Sequence, residues 1–139
     1  MILEVWCDGG VSKQPLDSRG TGKFGSIGYS EGIVKWKHSI TKQNATNNEM
    51  EMMAVVDGLS MALTSIGKHE EPPSEIIVHS DSQNVVCWID GSFKCKARNI
   101  QKILGTATIL IECIKLAGVK VTIKKVGRDE NIAHGVGGW

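Results

Sequence analysis

The chain has 139 residues, enough for one domain with a buried core. Hydrophobic residues make up 41% and charged residues 22%, a balance that excludes an intrinsically disordered chain. The net charge of +1 excludes the strongly basic surface of a tight, non-specific nucleic-acid binder, so any such function rests on where the 16 Lys and Arg residues lie.

Ile2 to Cys7 reads as a first strand, ended by Asp8-Gly9-Gly10 as a sharp turn. Residues 11 to 23, with Pro15 and several Gly and Ser breaks, read as a loop. Phe24 to Ser30 and Ile33 to Ile40 follow as two strands joined by a hairpin at Glu31-Gly32. Asn47 to Ile66 is a helix, because Met52, Val55, Val56, Leu59, Leu63 and Ile66 recur at helical spacing. Thr46-Asn47-Asn48-Glu49 fits a capping box at its start, and Gly67 and Pro72-Pro73 end it.

Glu75 to Ser80 holds the β-branched run Ile76-Ile77-Val78, suited to a buried parallel strand. A short helix is predicted over Ser82 to Ile89, then a basic loop over Gly91 to Lys96. Ala97 to Leu116 forms a second long helix with Ile100, Ile103, Leu104, Ala107, Leu110 and Ile114 on one face. Gly118 stops it, and Val119, Val121 and Ile123 alternate along a last strand. The order βββαβααβ predicts an α/β domain with a mixed five-stranded sheet flanked by helices, spanning 1–139 as one unit.

Cys7, Cys87, Cys95 and Cys113 form no C-x-x-C pair and no zinc-like spacing, and are expected as buried free thiols of a reducing compartment. No continuous apolar run approaches a membrane span, and Met1 leads into Ile-Leu-Glu-Val-Trp without a basic, then apolar, leader. The expectation is a cytoplasmic protein with no membrane partner.

Three acids stand at informative places. Asp8 ends the first strand, Glu51 lies in the first turns of the long helix, and Asp81 follows the buried fourth strand. If the first and fourth strands are parallel neighbours, Asp8 and Asp81 come together with Glu51 above them. Carboxylates so gathered repel one another and suit a hard cation such as Mg²⁺ or Mn²⁺. A local role accounts for each acid equally well: Asp8 starting a turn, Glu51 favouring a helix N-terminus, Asp81 capping the next helix.

Asp8-Gly9-Gly10, then Thr46-Asn47-Asn48-Glu49-Met50-Glu51, then Ser80-Asp81-Ser82-Gln83 resembles, in order and spacing, the signature of type 1 ribonuclease H. The Thr-Asn-Asn-x-Met-Glu segment opening a helix is its most specific part, and the element order also resembles that family's fold over nearly the whole chain. The resemblance implies a ribonuclease H-like fold, hydrolysis of the RNA strand of an RNA–DNA hybrid, and two divalent ions, Mg²⁺ or Mn²⁺, held by Asp8, Glu51 and Asp81. It also implies that Asn47, Asn48 and Gln83 touch the hybrid's minor groove with backbone groups around Cys7, Gly9 and Gly10. Thr46 would meet a DNA phosphate, and the domain is expected to act as a monomer.

The C-terminal pattern departs from the family. In Gly127-Arg128-Asp129-Glu130-Asn131-Ile132-Ala133-His134, His134 stands where the family's fourth acid is expected, and Arg128 lies near its loop histidine. His134 is therefore a candidate catalytic residue and metal ligand, Arg128 a substrate contact, and Asp129 and Glu130 possible compensating acids. Imidazole suits Mn²⁺ better than Mg²⁺. The link after Asp81 lacks an added basic helix, leaving Lys94, Lys96 and Arg98 as a reduced cluster. The glycine-rich end, 135–139, does not support a long terminal helix, and Trp139 is expected to fold back onto apolar surface. A hybrid-binding module without strong catalysis, and a DNA nuclease or resolvase-like domain on the same fold, are the alternatives.

Overall fold

The computed structural model describes residues 1–12, 19–68 and 71–134. Its elements are β1 (Ile2–Val11), β2 (Gly20–Ser30), β3 (Ile33–Ala45), α1 (Asn47–Lys68), β4 (Glu75–Ser80), α2 (Gln83–Asp90), α3 (Arg98–Leu116) and β5 (Lys120–Lys125), followed by a 3₁₀ turn at Arg128–Glu130. The element order is the expected one, with the short 3₁₀ turn added. The strands form one sheet in the order β3-β2-β1-β4-β5. β1 is antiparallel to β2 and parallel to β4, and β5 is parallel to β4.

Several boundaries differ from the sequence reading. β1 does not turn at Asp8-Gly9-Gly10; it continues to Val11, and these residues pair with Gly25, Phe24 and Lys23 of β2. Consequently Gly20 to Lys23, read as loop, belong to β2, and β3 runs past Ile40 to Ala45 to meet them. The polar run Lys42-Gln43-Asn44 is tolerated there because β3 is an edge strand with exposed side chains. The rest of that expected loop, 13–18, and the end of the chain, 135–139 with Trp139, lie outside the described residues.

Helix α1 extends through Gly67 to Lys68 and packs on β1, β2 and α3. The expected stripe is there: Met52, Val55 and Leu59 are fully buried, with Val56, Leu63 and Ile66 packed against the same core. Met50, Ala54 and Ala62 widen it. By length and composition α1 could cross a membrane, contrary to the expectation that no segment approaches a span; here its apolar residues face the sheet. Gly58 permits the close approach, since a Cβ there would press on Val5 and the Cys7 thiol.

In α3, Ile100, Ala107 and Ile114 are buried, and Ile103, Leu104 and Leu110 pack beside them, as its periodicity predicts. α2 begins one residue later than expected, with Ser82 as its N-cap accepting from the Val85 amide. Of the cysteines only Cys7 is buried. Cys87 and Cys95 are half-buried and Cys113 is exposed, because it falls on the outer face of α3.

Candidate active site

Three features of the sequence bring the acids together. Cys7 of β1 pairs in register with Ser80 of β4, so Asp8 and Asp81 are the next residues on adjoining parallel strands. Gly9 then lets the first turn of α1 lie against β1: a Cβ at Gly9 would overlap the Met50 carbonyl and crowd the Glu51 amide. Finally, the capping box fixes where α1 starts, the Glu49 amide donating to Thr46 Oγ1 at 3.2 Å and the Thr46 amide to Glu49 Oε1 at 2.8 Å. Glu51 is thereby set over the ends of the two strands.

The result is a cleft of about 520 Å³ whose lining includes Asp8, Gly9, Gly10, Asn47, Glu51, Asp81, Arg128 and His134. Asp8 is buried and accepts the Gly9 amide at 3.0 Å. Burial pushes the Glu51 carboxyl up to about 7; a hydrogen bond from Ser82 opposes this, while the charges of Asp81 and Asp8 add to it. Asn47 Nδ2 donates to Glu51 Oε1 at 3.2 Å. Among the described residues no three or more His, Cys, Asp or Glu side chains are grouped closely enough to hold a metal ion as they stand. The three carboxylates are nonetheless hard oxygen donors, the chemical type that a divalent cation such as Mg²⁺ or Mn²⁺ takes.

The C-terminal segment is fastened to this cleft by Asn131, which sequence reading placed only as part of a pattern. Asn131 is buried, donates from Nδ2 to the Cys7 carbonyl at 2.8 Å, and lies 3.5 Å from Asp81 Oδ2. Its Oδ1 accepts the Ala133 amide at 3.0 Å, and its carbonyl accepts the His134 amide at 3.0 Å. This turn carries His134 to the acids, where Nδ1 stands 3.5 Å from Asp8 Oδ2. His134 is half exposed and Arg128 lies on the rim; Asp129 and Glu130 point from the exposed 3₁₀ turn and do not line the cleft.

Four other expected contacts lie outside the cleft lining. Cys7 is buried, its thiol against α1 and its carbonyl bound by Asn131. Thr46 sits at the α1 N-cap, and Asn48 and Gln83 stand at the starts of α1 and α2. Ser12, which the sequence reading left in a loop, does line the cleft, its amide bonded to the Thr21 carbonyl. Lys94 and Lys96 lie in the α2–α3 link. Arg98 instead opens α3 and lines, with Lys42 and Lys102, a second cleft of about 620 Å³ floored by Phe24, Met53 and Ile103.

Asp8 and Asp81 at the ends of adjoining parallel strands, with Glu51 above them on the following helix, on a sheet ordered β3-β2-β1-β4-β5, mark an α/β domain of ribonuclease H-like fold. The RNase H family model matches residues 2–127, and the chain belongs to that family. It is 35% identical over 95 residues to a ribonuclease H of Geotalea uraniireducens, a match covering 66% of this chain and 56% of that protein. It is 27% identical over 125 residues to that of Caldicellulosiruptor saccharolyticus, covering 84% and 77%. The chain thus spans little more than half the length of the Geotalea relative, and 46% of a Bordetella pertussis one. In fold it is similar to an N-terminal RNase H domain from Mycobacterium tuberculosis, at TM-score 0.77 and 22% identity, over 94% of this chain and 85% of that one. It is also similar to LC11-RNase H1 in complex with RNA/DNA hybrid, at TM-score 0.75 and 17% identity, over 94% and 88%.

Proposed function

We propose that this domain is a ribonuclease H that hydrolyses the RNA strand of an RNA–DNA hybrid, leaving 3′-hydroxyl and 5′-phosphate ends. The observation that carries the reading is the meeting of Asp8, Glu51 and Asp81 with Asn47 in one open cleft. The family membership and the hybrid bound by one structural neighbour support it.

In this reading Asp8, Glu51 and Asp81 would hold two divalent ions, Mg²⁺ or Mn²⁺, with His134 at the fourth position. When bound, such ions supply charge stabilisation at the scissile phosphate and lower the pKa of water. The chain's own residues orient the substrate. Asn47 already donates to Glu51, which leaves its Oδ1 available to accept a 2′-hydroxyl, a group that DNA lacks. Asn48 and Gln83 extend this reading along the minor groove. Thr46 Oγ1 accepts the Glu49 amide, so its own proton remains available for a phosphate oxygen. Arg128 adds positive charge on the rim, and Lys42, Arg98 and Lys102 continue it along the second cleft.

The test is a cleavage panel on RNA–DNA hybrid, double-stranded RNA and double-stranded DNA, each with Mg²⁺ and with Mn²⁺. Cleavage of the hybrid's RNA strand alone is expected. Cleavage of DNA, or binding of hybrid without cutting, would replace the proposal.

A further inference from the structure

The turn from β3 into α1 is held from outside by a residue of the β1–β2 connection. One nitrogen of Arg19, Nη1, donates to the Asn44 carbonyl at 2.9 Å and to Glu49 Oε1 at 2.8 Å. These partners lie on either side of Thr46-Asn47-Asn48. Asn44 has a left-handed backbone, φ 55°, at the register shift that lets Ala45 pair with Gly20 at the end of β3; Asn is among the few non-glycine residues that adopt it readily. Ala45, next to it, is fully buried, so the turn is pinned from below as well. Glu49 Oε1 also takes the Thr46 amide, and Asn99 at the start of α3 lines the same cleft as Glu49.

Glu49 therefore joins two parts of the molecule: the end of the β1–β2 connection through Arg19 and its own helix start through Thr46. The capping box alone needs only Thr46 and Glu49. An arginine reaching across 30 positions to the same oxygen adds nothing to capping, but it does restrain how residues 44 to 49 sit relative to the sheet.

We infer that Arg19 and Glu49 are positioning residues for substrate recognition, an ion-paired clamp that fixes the Thr46-Asn47-Asn48 turn in the orientation that reads 2′-hydroxyls. The inference rests on the proposed hybrid-cleaving function. It places the clamp's effect on binding rather than on the chemical step, because Arg19 does not touch the acids of the cleft and the capping bond that sets Glu51 needs only an oxygen at position 49, not its charge.

The experiment compares wild type, Arg19→Met, Glu49→Gln, the double variant and Asn47→Ala, measuring KM and kcat on RNA–DNA hybrid and hybrid affinity by fluorescence anisotropy. Glu49→Gln keeps an oxygen for the Thr46 amide and removes only the charge. Each single change is expected to raise KM and the dissociation constant by about two- to fivefold, the scale of a partly exposed ion pair, with kcat held within about twofold. The double variant should be no worse than Arg19→Met alone, since that change already removes the ion pair together with the bond to the Asn44 carbonyl. Unchanged KM and affinity in Arg19→Met and Glu49→Gln, while Asn47→Ala weakens both, would overturn the clamp and leave the hybrid reading standing. A loss confined to kcat would overturn it too. If wild type neither binds nor cuts hybrid, the functional reading fails and takes the clamp with it.

Discussion

Asn131 Nδ2 donates a 2.8 Å hydrogen bond to the Cys7 carbonyl, joining residues 124 positions apart one step before Asp8. Removing the side chain strips that buried carbonyl of its partner and frees the turn that carries His134. Asn131→Ala is expected to lose about 1–3 kcal/mol in urea unfolding. Asn131→Asp should do no better, because a carboxylate would face the Cys7 carbonyl and the Asp81 carboxylate. Wild-type unfolding midpoints in both variants would show that the segment is held by something else.

Glu51→Gln is expected to abolish hybrid cleavage with the fold intact, since the change keeps size and removes a charge that divalent ions need. It should also change the pH dependence of stability. The Glu51 carboxyl titrates near 7 when folded, against 4.5 ordinarily, so the folded state holds its proton more tightly. This group's contribution is then fully present below pH 4.5 and is lost as pH rises through 7. Without divalent ions Glu51→Gln should be the more stable protein at pH 8, by up to about 3 kcal/mol, and added Mg²⁺ or Mn²⁺ should narrow the gap. A Gln variant less stable than wild type in EDTA at pH 8 would contradict the burial, aided by the Asp81 and Asp8 charges, that disfavours the Glu51 carboxylate.

His134 approaches Asp8 from the segment where a carboxylate would be expected. His134→Asp restores an oxygen donor and should raise Mg²⁺-dependent turnover relative to Mn²⁺-dependent turnover; His134→Ala should lower activity with both. The measurement is the Mg²⁺/Mn²⁺ rate ratio across the three proteins. Equal rates for His134→Ala and wild type with both ions would make the histidine a bystander.

Lys94, Lys96 and Arg98 are exposed, and Arg98 lines the second cleft. Replacing all three with Ala should flatten the salt dependence of hybrid binding, by about 0.9 in log–log slope for each phosphate that is no longer neutralised on a B-form duplex. An unchanged slope would assign them to ordinary solvated surface.

Much of this was legible along the chain because it is local. The α1 and α3 stripes, the Thr46–Glu49 capping box and the Ser82 cap depend on residues a few positions apart, where periodicity and side-chain chemistry act directly. The order of Asp8, Glu51 and Asp81 also pointed to their meeting once β1 and β4 were taken as parallel neighbours. What escaped was set by distant packing. Asp8-Gly9-Gly10 carries every local mark of a turn, yet it stays extended because β2 pairs with it and α1 lies against it. Asn131 on Cys7 and Arg19 on Glu49 leave no spacing signal at all.

Gly9 has a consequence for how this domain can vary. Every other side chain begins with the same Cβ, and that atom alone collides with the backbone of Met50, where no rotamer change relieves it. Gly10 differs, since a Cβ there meets only Asn47 Oδ1 at 3.5 Å, an ordinary van der Waals approach. A saturation library at the two positions, sorted for folded protein by protease resistance, should return glycine alone at position 9 and admit alanine at position 10. Position 9 is thus closed to mutational drift by the neighbouring helix, independently of any selection for catalysis.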